Sequence, residues 1–119
     1  MGNRYHLIVH ESELKDTGKT IEQCIKSLFD VDKYAYILHN KDVRPHYHVY
    51  LEKLYPSDIF VLAEIFEIYA YDVSILKCST KRVLEYFLGK LQGQEQEHKY
   101  SKKDIISNFD VRKVLKSKE

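Results

Sequence analysis

The chain has no tryptophan, and ten tyrosines serve as its bulky aromatics instead. A tyrosine ring packs in a core or stacks on a base, and its hydroxyl can act as a nucleophile. Cysteine is scarce. Cys24 and Cys78 are far apart, in no ligand-like spacing, and read as reduced core thiols of an intracellular protein. No apolar run approaches the length of a membrane-spanning helix, so no membrane partner is expected. The first residues enter a strand pattern without the apolar region of a signal peptide. A myristoylation signal would place Ser or Thr where His6 stands. The formal net charge of +1 makes no global case for nucleic acid, so any basic surface is local. Repeats, low-complexity tracts and a second-domain linker are also lacking.

What is present suits one folded domain. The composition, 44% hydrophobic and 31% charged, is that of a packed chain rather than a disordered one. A domain over residues 1–115 with a charged tail at 116–119 is expected. From Arg4 to His10, Leu7 and Val9 alternate with His6, Ile8 and His10, which reads as a strand. A polar stretch with Gly18 ends it. Thr20 then starts a helix with Gln23 at the capping-box position and a stripe of Ile21, Cys24, Ile25 and Leu28. Lys33 to His39 reads as a second strand, joined by a polar hairpin connection to a third strand at Pro45–Leu51. Pro56-Ser57-Asp58 opens a second helix, with Ser57 the expected cap. From Ile59 to Tyr69 that helix is apolar nearly all round, which predicts burial on more than one side. Asp72 to Lys77 reads as a fourth strand. A third helix, capped by Ser79 or Thr80, runs to Leu88 and closes at Gly89. A polar loop over 92–103 and an amphipathic segment over 104–115 follow. The order β-α-β-β-α-β predicts an α+β ferredoxin-like sandwich with an antiparallel sheet and an extra helix after the fourth strand. Two helices are expected to cover one sheet face and leave the other open.

The third strand carries the chemistry. Residues two apart in a strand share a face, so His46, His48 and Tyr50 lie on one side and Tyr47, Val49 and Leu51 on the core side. Two imidazoles roughly 6–7 Å apart at their Cα atoms can converge on one cation. In the hairpin, His39 returns beside them and Asp42 lies in the connection. Each alone has a plainer reading: surface histidines, a strand-end histidine, a turn aspartate. Together they form a mixed nitrogen and oxygen set suited to Mn²⁺, Mg²⁺, Co²⁺ or Zn²⁺. On the third helix, at about 100° per residue, Arg82 and Lys90 lie about 40° to either side of Tyr86. Val83, Leu84, Phe87, Leu88 and Leu91 fill the opposite arc. Tyr86 is thus off the apolar stripe between two cations. A phenol, with an ordinary pKa of about 10, needs such help to act as a nucleophile. The plainer reading is an exposed helix tyrosine.

These residues resemble the HUH endonucleases, named for their His-hydrophobe-His strand, and most of all the RepB-like rolling-circle replication initiators of Gram-positive plasmids. Leu38-His39-Asn40-Lys41-Asp42 looks like that group's Leu-His-Asp-Lys-Asp segment, with Asn40 a departure at a non-ligand position. Pro45-His46-Tyr47-His48-Val49 looks like its His-Tyr-His-Val strand. Glu85-Tyr86-Phe87-Leu88 stands where its nucleophilic tyrosine lies, although Gly89 replaces the histidine of the usual Tyr-Leu-Thr-His. Residues 99–105 and 108–111 extend the likeness over most of the chain. Initiators of this group usually carry a C-terminal oligomerisation domain, so the chain is either a minimal member or a catalytic domain.

The resemblance implies a bacterial cytoplasmic enzyme that nicks single-stranded or hairpin origin DNA. Tyr86 is the implied nucleophile. His39, Asp42, His46 and His48 would hold Mn²⁺ or Mg²⁺. Arg82, Lys90, Arg44, Lys99, Lys102 and Lys103 are candidates for DNA contact, with Tyr50 and Tyr47 as base-stacking candidates. Host replication proteins are possible partners. Tyr100 is a rival nucleophile, set behind Tyr86 because its segment reads as flexible. Three other readings stand beside this one: a transposase or relaxase of the same chemistry, a non-catalytic nucleic-acid module using the open sheet face, and an acid-base phosphodiesterase using His46 and His48.

Overall fold

The computed structural model describes residues 3–41, 44–91, 94–95 and 100–117, with the backbone alone at 90–91 and 94–95. The strands are β1 (Arg4–His10), β2 (Val31–His39), β3 (His46–Lys53) and β4 (Val73–Ile75). Helices α1 (Glu11–Thr17) and α2 (Ile21–Lys26) connect β1 to β2, and α3 (Ile59–Phe66) connects β3 to β4. After β4 come α4 (Thr80–Phe87), a small ribbon of β5 (Lys90–Leu91) and β6 (Gln94–Glu95), then β7 (Ile106–Ser107) and α5 (Val111–Lys116). The main sheet is antiparallel, in the order β4-β1-β3-β2-β7. Its first four strands have the order of a ferredoxin-like α+β sandwich, as expected. The added β7 extends the edge beyond β2, where the Asn108 side chain accepts from Tyr34 N–H at 2.7 Å and donates to the Asp32 carbonyl at 3.1 Å.

Local signals explain most element boundaries. Thr20 and Gln23 form a full capping box at the start of α2. Ser79 caps α4 by accepting from Arg82 N–H. Gly89, just past α4, sits at φ 85°, where a side chain would be strained. The α3 cap is Asp58, not Ser57: the Asp58 carboxylate accepts from Phe60 N–H at 2.8 Å, while the Ser57 main chain exchanges hydrogen bonds with Tyr5 Oη. Helix α3 is also shorter than its apolar run. It stops at Glu67, which takes a left-handed φ of 54°, and Ile68 N–H reaches back to the Ala63 carbonyl. One side of it is open, with Phe60 and Val61 exposed, so it is not buried all round. Helix α1 is absent from the expected pattern because it buries one apolar side chain, Leu14.

Both faces of the sheet are covered. On one, Leu7, Val9, Val49 and Leu51 pack against Leu14, Ile21, Ile25, Leu62 and Phe66. On the other, Ala35, Ile37 and Tyr50 pack against Val83, Leu84, Phe87, Leu88 and Val111 of α4, its C-cap and α5. The open face expected from the two-helix sandwich is therefore closed. The stripe on α4 has this surface to bury against, and an apolar helix face left in water is costly. The helix bearing Tyr86 is thus a covering layer, and it is followed by β7 and α5 rather than ending the fold. Cys24 is a buried free thiol and Cys78 a half-buried one.

Candidate metal centre

Strand register gathers the histidines. Across β1, β3 and β2, His10, His46 and His39 form one row, Ile8, His48 and Ile37 the next, and His6, Tyr50 and Ala35 the third. Side chains of these rows point to the α4 side of the sheet. His39, His46 and His48 each offer a ring nitrogen, and the three atoms lie within 4.8 Å of one another. His39 and His48 are buried.

With each ring neutral, the hydrogen-bond partners assign which nitrogen carries the proton. Nδ1 of His46 lies 2.9 Å from the Arg44 carbonyl, which can only accept, so Nδ1 donates and Nε2 holds the lone pair. That Nε2 is 3.2 Å from Nε2 of His48, which must then be the donor. Nδ1 of His48 in turn accepts from Nε2 of His6 at 2.8 Å. His39 donates from Nε2 to the Phe87 carbonyl at 2.7 Å, tying the end of β2 to the end of α4 and making Nδ1 its lone-pair nitrogen. Burial, with a smaller contribution from neighbouring imidazoles, holds His48 down to about 2 and His6 down to about 4. These two rings are neutral near pH 7.

Such a set fits a divalent cation. Once the proton of His48 moves from Nε2 to Nδ1, its Nε2 can ligate beside that of His46, and two ligands of one ion at about 2.1 Å from it lie about 3.0–3.4 Å apart, close to the 3.2 Å between the Nε2 atoms of His46 and His48. Three imidazoles suit Zn²⁺ or Co²⁺ better than Mg²⁺, which prefers oxygen. Asp42 lies outside the described residues.

Two phenols flank the cluster. Tyr86, half-buried on α4, meets His48 and His6 edge-on, with ring centroids 5.4 Å and 5.8 Å apart. Tyr100 stacks flat on His39 at 4.2 Å, and its hydroxyl accepts from Lys41 N–H at 3.0 Å. Lys41 Nζ sits 4.8 Å from the Tyr100 ring centroid. Tyr100 is therefore packed in place, contrary to the flexible setting expected for it. Arg82, Lys102 and Lys103 are exposed, and Arg44 pairs with Glu13 at 3.1 Å on the surface. Lys99 and the side chain of Lys90 lie outside the described residues. Tyr50 is corrected as a base-stacking candidate: it is fully buried, its hydroxyl bonded to Glu52 and Thr80. Tyr47 is half-buried against the first core, with its ring edge-on to Tyr36.

His6 and His10 were not expected at the site. Both share the parity of the His-x-His strand. The signal was available, because a ferredoxin-like order makes β1 the neighbour of β3. His10 lies 6.0 Å from the His46 ring, and its Nδ1 is buried without a hydrogen-bond partner among the described residues.

No protein-family model matches the chain. It is similar to a protein named "Replication protein" from onion yellows phytoplasma (strain OY-M), 29% identical over 98 residues. The match covers 67% of this chain and 26% of that protein, so the chain spans about a quarter of the relative's length. Among the described residues, no helix is long and apolar enough to cross a membrane.

Proposed function

We propose that the chain is a nicking and joining domain that initiates rolling-circle plasmid replication, an HUH-type endonuclease acting on single-stranded or hairpin origin DNA in the bacterial cytoplasm. The observation that carries this reading is the Tyr86 ring 5.4 Å from the ring of His48, itself one of three imidazoles whose donor atoms lie within 4.8 Å. Similarity to a replication protein supports the biological setting.

His39, His46 and His48 would hold the cation, with a carboxylate from Asp42 making Mn²⁺ acceptable alongside Zn²⁺ and Co²⁺. When bound, the cation supplies positive charge that polarises the scissile phosphate and orients it for in-line attack. The Tyr86 oxygen bonds to phosphorus and gives up its proton. The bond from phosphorus to the 3′ oxygen breaks and that oxygen gains a proton. The products are a 5′-phosphotyrosyl link and a free 3′-OH, which a host polymerase can extend. The adduct conserves the energy of the cut bond, so a later 3′-OH can displace the tyrosine and reseal the strand. Arg82, one turn before Tyr86, would hold a flanking phosphate, and Lys90, Arg44, Lys99, Lys102 and Lys103 the backbone further out.

The test is to mix the protein with a hairpin origin oligonucleotide and Mn²⁺ and look for a covalent adduct on a denaturing gel. Adduct should form with the native chain and with Tyr100→Phe, and vanish in Tyr86→Phe or EDTA. Adduct in Tyr86→Phe moves the nucleophile elsewhere, and a freely hydrolysed product with no adduct overturns the mechanism.

A further inference from the structure

We infer that His6 is a positioning residue for the metal centre: by accepting a hydrogen bond from Nδ1 of His48 it holds His48 in the tautomer that binds a cation through Nε2. This rests on the metal-centre reading above.

His6 lies under α4, with its ring 5.7 Å from that of Phe87 and 5.8 Å from that of Tyr86. Its ring is 11° from parallel with that of His48, at a centroid separation of 5.0 Å. A face-to-face stack cannot bring two ring nitrogens to 2.8 Å, so the rings meet end to end through an in-line N–H···N bond. The other ring nitrogen of His48, Nε2, is the one aimed at His46 and hence into the donor set.

A neutral imidazole keeps one proton. For Nε2 of His48 to ligate, that proton must sit on Nδ1, which faces only a narrow choice of acceptor in a position 3% exposed to water. Without cation, His6 donates from Nε2 to Nδ1 of His48, and His48 donates from Nε2 to His46. With cation, His48 donates from Nδ1 to Nε2 of His6, and His6 carries its proton on Nδ1. Two N–H bonds break, one on each Nε2, and two form, one on each Nδ1. The pair holds two protons in both states. A ligating histidine whose other nitrogen is bonded to a fixed partner binds metal more tightly, and loss of such a partner costs about 10–100-fold in affinity. The partner here is a second histidine, which serves because either of its tautomers meets the need of His48.

The experiment uses Zn²⁺, which is diamagnetic, with the full chain. Affinity is measured by calorimetry and the His48 tautomer by long-range ¹H–¹⁵N NMR. In the native chain, His48 should carry its proton on Nε2 before Zn²⁺ and on Nδ1 after. His6→Phe keeps the ring volume without an acceptor and should weaken Zn²⁺ binding by about 10–100-fold. His6→Gln retains an acceptor oxygen and should stay within a few-fold of native. Equal affinity in native and His6→Phe, or a His48 bound through Nδ1, overturns the inference and leaves the metal centre standing. No Zn²⁺ uptake at His39, His46 and His48 in the native chain overturns both. Should His6→Phe fail to fold, the native tautomers and His6→Gln decide the matter.

Discussion

Strand β3 buries titratable groups at both ends, and the two ends treat them differently. At its far end Lys53, 4% exposed, meets Asp30, 2% exposed, at 2.6 Å. Asp30 also accepts from Tyr55 N–H at 3.2 Å through its second carboxylate oxygen. This charge pair is closed within the chain. At the near end, His46 and His48 bond to each other, to His6 and to a main-chain carbonyl. His6 and His48 are desolvated, and His39, His46 and His48 bring three ring nitrogens within 4.8 Å of one another. The contrast separates a polar pair that completes the fold from a donor set that could hold a cation. It also weighs against the acid-base phosphodiesterase. Burial disfavours the imidazolium form of His48, and that is the form from which a general acid would give its proton near pH 7.

The contrast breaks most sharply at Asp30. Asp30→Ala leaves Lys53 as a buried unpaired cation and should cost about 3–5 kcal/mol of stability. Zn²⁺ affinity of the folded fraction should remain within a few-fold of native. Chemical denaturation and calorimetry measure the two separately, and a large loss of Zn²⁺ affinity would show that the ends are coupled. Replacing both partners with apolar residues, Asp30→Leu with Lys53→Met, should recover most of the lost stability, because no charge is then left stranded.

A smaller effect is expected from acid. His6 and His48 have folded pKa values below the ordinary 6.5, so the unfolded chain binds more protons between the two values. Stability is therefore fully present above about pH 6.5 and declines as pH falls toward 4 for His6 and lower for His48. Chemical denaturation of the metal-free protein should show its stability falling between pH 7 and 4. His6→Gln should flatten part of that decline, while a profile that is flat in the native chain would mean that the rings are protonated without penalty.

Alternation along β3 separates its two faces correctly, with Val49 and Leu51 in one core and Tyr50 in the other. It does not say which faces are covered. That depended on α4 folding back over the histidine side, a tertiary event. The stripe Val83, Leu84, Phe87 and Leu88 was legible and is buried, and Tyr86 falls off it, half-buried beside His48. Helix α1 had no periodic signal, and β7 pairs through two residues. His6 was visible as a strand residue, but its role depends on a pairing 42 positions away in the chain.

The smallest effect concerns the surface, where an ion pair of the same type behaves unlike Asp30–Lys53. Arg44 and Glu13 lie 3.1 Å apart with side chains 58% and 43% exposed. Such a pair contributes about 0–1 kcal/mol, so Arg44 can leave Glu13 for a DNA phosphate at little cost, whereas Lys53 cannot leave Asp30. Arg44→Ala should leave the melting temperature and Zn²⁺ affinity unchanged. For single-stranded DNA it should reduce the slope of log affinity against log salt by about 0.7, the change expected when one phosphate is no longer neutralised. Lys102→Ala, exposed beyond α4, should do the same if the strand runs past Tyr100, and an unchanged slope in both would place the DNA path on another side of the histidine cluster.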